Sequence, residues 1–210
     1  MKTILFDLDG TLTDSGEGII NCASLALERL GLPVPDRDTM GVFVGPPLRD
    51  SFLRFGVKPE DVETAIEIYR SRYVPTGMFE NTPYEGIHQV LAALRDAGHR
   101  LVLATAKPES MAVAIVEKFD LAEYFELLCG ASMDSSRDSK DKVIGYVLEK
   151  TGTDGQIIMV GDTAYDVTGA AAHGIPTIGV SWGYGSVEDM RTAGAIAIAD
   201  TPSQLLQLLL

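Results

Sequence analysis

The sequence predicts an α/β fold, a doubly wound, mostly parallel sheet carrying an inserted all-helical cap. Short, continuous apolar runs with β-branched members recur along the chain, and helical patterns closed by glycine separate them. One stretch, residues 15–82, interrupts that rhythm with helical patterns and no convincing strand. Continuous apolar runs suit strands covered on both faces, as in a parallel sheet. Alternating strands and helices are the order of a doubly wound fold.

The first predicted strand is Thr3 to Phe6, which ends at Asp7. Glu17 to Leu30 reads as an amphipathic helix closed by Gly31, and Pro33 and Pro35 mark the loop after it. Leu48 to Phe55 and Glu60 to Val74 are further helical patterns, the second with Tyr69 and Tyr73 one turn apart as a packing face. The cap is therefore placed at 15–82 and the core at 1–14 and 83–210. A helix over Glu85 to Ala97 stops at Gly98, and Arg100 to Ala104 is the next strand. Pro108 opens a helix that reaches Phe119, and Leu127 to Cys129 is a shorter strand. Lys140 to Thr151 is helical up to Gly152, Gln156 to Val160 is a strand, and Asp166 to His173 is helical up to Gly174. Thr177 to Val180 and Ala195 to Ala199 complete the strands. Thr201 caps a final helix whose apolar face docks on the core.

A chain of 210 residues suffices for one domain with an insert. With 46% hydrophobic and 22% charged residues it has the balance of a soluble globular protein. A formal net charge of −13 repels nucleic acid and anionic membrane, so neither is an expected partner. The same charge demands local positive groups wherever an anionic substrate binds. Cys22 and Cys129 lack CxxC spacing and read as reduced core residues of a cytoplasmic protein. The apolar start is too short for a signal peptide, and no run reaches membrane-spanning length. His88, His99 and His173 have no ligand spacing and read as structural.

In an open α/β sheet, chemistry collects at the carboxyl ends of the strands. Asp7-Leu8-Asp9-Gly10-Thr11 follows the first strand, and Thr105-Ala106-Lys107-Pro108 follows the second. Gly161-Asp162-Thr163-Ala164-Tyr165-Asp166 follows the strand ending at Val160. Each segment alone reads as ordinary turn and cap residues. Three of them in this order on one edge do not. Asp7 and Asp9, two apart in an extended chain, lie on the same side. A carboxylate can attack a phosphate ester once a metal and a cation neutralise the anionic oxygens.

On these motifs the chain resembles the haloacid dehalogenase-like superfamily, within it the phosphoglycolate phosphatase and 5'-nucleotidase branch with a helical cap. The resemblance covers essentially the whole chain. It implies Mg²⁺-dependent hydrolysis of a small phosphate monoester, of phosphoglycolate or nucleoside monophosphate type, through an aspartyl-phosphate on Asp7. Asp9 would protonate the leaving oxygen and then activate water. Gly10 would let the backbone approach the phosphate, which the Thr105 hydroxyl and the Ala106 N–H would bind. Ala106 stands where many relatives carry Ser or Asn, so a side-chain contact is missing there. Asp7, the Asp9 carbonyl and Asp162 would hold Mg²⁺, a hard ion that takes oxygen ligands. Asp166 would support them from behind, cap its helix, or do both. Lys140-Asp141-Lys142-Val143-Ile144 points to Lys140 as the phosphate lysine, with Lys142 as the alternative.

The turn Gly45-Pro46-Pro47 would aim Arg49 at a second anionic group of the substrate; the alternative is a surface arginine at a helix start. Lys107 reads as a surface residue beside the site, with a ligand role as the alternative, and Arg54, Arg70 and Arg72 read as solvated. Trp182-Gly183-Tyr184-Gly185 resembles the WGxG stretch of nucleotidase-like members. Asp9 argues against a dehalogenase. Lys58, the one lysine of the insert, lies in a loop and argues against an imine-forming phosphonate hydrolase. A phosphomutase of the β-phosphoglucomutase type, or a pyrophosphatase, keeps Asp7 and Asp9 and stays open. The expected form is a monomer or weak dimer.

Overall fold

Ile4, Leu5 and Phe6 of β1 (Lys2–Phe6) have no exposed surface, as a strand covered on both faces requires. The computed structural model describes residues 1–134 and 136–210. After β1 come β2 (Thr13–Asp14), α1 (Gly16–Arg29), α2 (Arg37–Met40), α3 (Leu48–Arg54), α4 (Val62–Tyr73) and β3 (Thr82–Pro83). Then follow α5 (Ile87–Asp96), β4 (Arg100–Pro108), α6 (Glu109–Lys118), β5 (Leu127–Ala131) and α7 (Lys140–Thr151). The chain ends with β6 (Gln156–Gly161), α8 (Ala164–Ala171), β7 (Thr177–Val180), α9 (Val187–Ala193), β8 (Ala197–Ala199) and α10 (Pro202–Leu209).

The main sheet has the order β5-β4-β1-β6-β7-β8, and every neighbouring pair is parallel. The chain winds outward from β1 to β4 and β5, then returns to β6 on the other side of β1. The order therefore reverses beside β1, and a crevice opens at its carboxyl end. Alternation along β1 sends Ile4 and Phe6 to one face and Leu5 to the other. Ile4 and Phe6 pack with Leu91 and Leu94 of α5 and Ile115 of α6. Leu5 packs with Val143, Ile144 and Val147 of α7.

The insert has its own apolar cluster, containing Ile19, Leu27, Phe43, Phe52, Tyr69 and Tyr73. The Tyr69 and Tyr73 rings stack with centroids 5.0 Å apart, the packing face expected from their spacing. Met111 of α6 joins this cluster, so a side chain from the sheet's own helices reaches into the insert. Where the chain enters and leaves the insert, β2 pairs antiparallel with β3, Thr13 opposite Pro83 and Asp14 opposite Thr82.

Several boundaries differ from the sequence expectation for identifiable reasons. β4 runs past Ala104 to Pro108, because pairing with β5 resumes after an irregularity between Thr105 and Pro108. A Cβ on Gly130 of β5 would lie 2.6 Å from the Lys107 carbonyl, so the glycine makes room for that irregular passage. α8 begins at Ala164 rather than Asp166. Thr163 is its N-cap, and Asp166, three residues on, accepts the Thr163 N–H in a capping box. The two-residue strands β2 and β3 are too short to show a period. α9 has clear end signals, with the Ser186 hydroxyl accepting from Asp189 N and Gly194 left-handed, yet its seven residues are less than two full turns. Among the described residues, no helix is long and apolar enough to cross a membrane.

Candidate active site

Asp7 lies at the carboxyl end of β1, and its N–H donates to the Val160 carbonyl at 2.9 Å. Lys140, the first residue of α7, sends its Nζ to within 2.6 Å of Asp7 Oδ1, 2.8 Å of Asp166 Oδ1 and 3.0 Å of the Ala104 carbonyl. One buried ammonium thus bridges a carboxylate at the end of β1 and one in the first turn of α8. Burial opposes its charge, but the Asp166 and Asp7 carboxylates outweigh burial and raise its pKa above the ordinary lysine value. Lys142 is exposed and pairs with Asp138, one turn back.

Asp162 follows β6 and has no exposed surface. Tyr184 N donates to its Oδ2 at 2.9 Å, and Thr11 Oγ1 donates to its Oδ1 at 3.5 Å. Glycines let the neighbouring backbone close around it. A Cβ on Gly10, whose φ is +80°, would lie 2.2 Å from Asp162 Oδ2, and one on Gly183 would lie 2.3 Å from the same oxygen. Asp166 is held by Thr163, whose N–H and Oγ1 donate to its Oδ2 at 3.0 and 2.8 Å.

Ligand oxygens of Asp7, Asp162 and Asp166 lie within 4.8 Å of one another. Burial, then the neighbouring Asp166 and Asp7 charges, push the Asp162 carboxyl well above its usual range. Burial also raises Asp166, against the pull of Lys140. The chain therefore gathers more buried negative charge than it neutralises. Asp7, Asp9, Asp162 and Asp166 carry four carboxylates against the ammonium groups of Lys107 and Lys140, all of them buried. Carboxylate oxygens from Asp7, Asp162 and Asp166, in excess over the ammonium groups beside them, fit a hard divalent cation such as Mg²⁺.

Asp9 is buried, and Lys107 Nζ lies 2.9 Å from its Oδ2. The same Nζ donates to the Tyr73 hydroxyl of α4 and sits 4.7 Å from the centre of that ring. This corrects the reading of Lys107 as a surface residue: the irregularity in β4 turns it inward, where only 8% of it is exposed. Burial lowers its tendency to carry charge, but Asp9 and Tyr73 more than restore it. Burial pushes the Tyr73 phenol up to about 12, against the adjacent Lys107 cation. Thr105 is 1% exposed and its Oγ1 accepts from Lys107 N at 3.2 Å, while Ala106 beside it is half-buried.

Arg49 does not turn toward this site. It is exposed and its Nη1 pairs with Glu63 Oε1 at 3.1 Å across the insert's own surface. α3 begins just after Pro47, and the Gly45 turn that precedes it packs against the Thr163 methyl; that turn approaches the sheet while the arginine faces away. Arg72, read as solvated, makes a bidentate pair with Glu80 at 2.7 Å to each oxygen. Lys58 is exposed. His99 Nδ1 accepts from Lys2 N at 3.1 Å, and His173 Nε2 lies 2.8 Å from the Asp141 carbonyl; both tie elements together.

Two features of the site were named from the sequence without the place that the structure gives them. The direction of Lys107 had no local signal, because the irregularity between Thr105 and Pro108 breaks the two-residue alternation that would fix its side. The Gly183–Gly185 wall around Asp162 had only the WGxG resemblance. Its role comes from β7 running beside β6, with Trp182 Nε1 donating to the Thr11 carbonyl at 3.1 Å.

A family model described as haloacid dehalogenase-like hydrolase matches residues 4–180. The tyrosine-protein kinase PtkA of Mycobacterium tuberculosis is 41% identical over 207 residues, covering 97% of this chain and 71% of that protein. A 5'-nucleotidase of Pseudomonas aeruginosa is 38% identical over 190 residues, covering 90% of this chain and 86% of that protein. The crystal structure of a predicted phosphatase from Clostridium acetobutylicum superposes with a TM-score of 0.94 at 40% identity, over 99% of this chain and 97% of that one. With the sheet order, the strand-end carboxylates and a family match over most of its length, this chain belongs to the haloacid dehalogenase-like hydrolases.

Proposed function

We propose that the protein is a phosphatase that hydrolyses a small phosphate monoester, with Asp7 as nucleophile and Asp9 as acid and base. The observation that carries this reading is the pairing of two buried Asp–Lys contacts at one strand end, Asp7 with Lys140 and Asp9 with Lys107. The first lysine places positive charge beside the nucleophile, where phosphate oxygens would gather. Thr105 and the Ala106 N–H lie in the neighbouring strand β4 and would take further phosphate oxygens.

An Asp7 carboxylate oxygen attacks phosphorus, the ester P–O bond breaks, and the leaving alkoxide takes the proton of the Asp9 carboxyl. Asp9, now a carboxylate, accepts a proton from water as that water attacks the phospho-aspartate. The P–O bond to Asp7 breaks, inorganic phosphate leaves, and Asp7 is again a carboxylate. Asp7, Asp162 and the Asp9 carbonyl, with Asp166 behind them, would hold Mg²⁺, which would supply neutralisation of the phosphate charge. Asp166 also fixes Lys140, so its loss would disturb both charges.

The substrate types implied by resemblance are phosphoglycolate and nucleoside monophosphates, and the name of the Pseudomonas relative supports the second. A panel of phosphate esters with Mg²⁺ tests the reading. The wild type should release inorganic phosphate one for one with alcohol, and Asp7→Asn should release none with its fold intact. Normal turnover by Asp7→Asn would refute it. Conversion of a hexose 1-phosphate to the 6-phosphate, or transfer to a tyrosine peptide, would send the phosphoryl group to an acceptor other than water, and preferred cleavage of pyrophosphate would make the substrate an anhydride rather than a monoester.

A further inference from the structure

The hydrolysis set out above assigns no task to Lys107, yet this lysine is buried between the acid and the insert. It belongs to β4 of the sheet, whereas Tyr73 is the last residue of α4 in the insert. Its Nζ contacts Asp9 Oδ2 at 2.9 Å and also donates to the Tyr73 hydroxyl. Asp9 Oδ1, by contrast, is buried and has no hydrogen-bond partner among the described residues. One ammonium thus ties one oxygen of the acid to the insert and leaves the other oxygen bare. A lysine meant to grip phosphate would sit by the nucleophile, and Lys140 already stands there.

We propose that Lys107 is a positioning residue that holds the Asp9 carboxyl with Oδ1 free for the leaving group, and that Tyr73 makes this hold depend on the insert being seated on the sheet. The inference rests on the phosphomonoesterase reading. A lysine stem has four flexible carbons, so an ammonium anchored on one side only leaves the carboxyl loosely held. The hydroxyl of Tyr73 is the second anchor, and it arrives with α4. A seated insert would therefore complete the acid at the moment when the site is closed to water.

Proton donation matters in proportion to how poor the leaving group is. An alkoxide needs its proton in the transition state, and a dinitrophenolate does not. The test plots log(kcat/KM) against leaving-group pKa, from 2,4-dinitrophenyl phosphate to alkyl phosphates, in Mg²⁺. This parameter covers the steps through phospho-aspartate formation, so slow hydrolysis of the intermediate does not mask it. Lys107→Met should lose about 100-fold on alkyl esters and less than about threefold on the dinitrophenyl ester, which steepens the line. Tyr73→Phe keeps the ring, deletes one hydroxyl and should steepen the line in the same sense by about tenfold at the alkyl end. Lys107→Arg, which keeps a cation, should recover part of the loss. Equal losses across all esters, or parallel lines for both variants, would overturn the inference while leaving the phosphatase reading intact. If Lys107→Met does not fold, Tyr73→Phe decides alone. Absence of any turnover by the wild type would overturn both.

Discussion

Lys140→Met is the most direct test of how the site is held together. The substitution keeps an unbranched apolar stem and removes the charge that lies 2.6 Å from Asp7 and 2.8 Å from Asp166. Removing one member of a buried ion pair costs about 3–5 kcal/mol, because the remaining charge loses its partner. For a chain of this size each kcal/mol moves the melting temperature by about 2–4 °C, so the expected fall is about 6–20 °C in chelator at pH 8. The pH dependence follows from the direction of the carboxyl shifts. Asp162 and Asp166 bind protons more readily folded than unfolded, so their cost to stability is present at neutral pH and is relieved as pH falls through their raised folded values. Without Lys140 these carboxyls rise further. The gap between variant and wild type should therefore shrink from pH 8 to pH 5. Calorimetric melts at the two pH values, with circular dichroism as the check on folding, measure both effects. A variant that melts within about 2 °C of the wild type at pH 8 would refute the pairing argument.

Two further outcomes concern the cation and the insert. Mg²⁺ at about 100 times its dissociation constant should stabilise the folded chain by about 2.7 kcal/mol. Asp162→Asn should abolish that gain without lowering the metal-free melting temperature, since it removes one of several crowded buried negative charges; thermal melts with and without EDTA check this, and an unchanged Mg²⁺ shift in the variant would exclude Asp162 as a ligand. Arg49→Ala should cost less than about 0.5 kcal/mol and leave kcat/KM on phosphoglycolate within about twofold, because Arg49 is spent on an exposed pair with Glu63. A tenfold rise in KM, measured by phosphate release, would restore Arg49 as a substrate contact.

The sheet, most of its helices and the Asp7, Asp9 and Asp162 strand ends were legible in the sequence by itself. Each rests on local relations: continuous apolar runs, glycines after helices, and carboxylates within three residues of a strand end. Adjacency along the chain sets those positions whatever the rest of the molecule does. Tertiary structure decided the rest. Lys140 and Lys142 stand near one helix start with similar neighbours, but they point about 200° apart around the helix. Only the packing of Val143, Ile144 and Val147 against the sheet turns Lys140 inward, to meet a carboxylate 133 positions away. The same holds for Arg49, whose direction depends on how α3 lies beside α4, and for Lys107, whose direction depends on β4 bending past Gly130. Spacing within a segment is set by covalent geometry, whereas the direction of a long cationic side chain is set by whichever distant groups packing brings within reach.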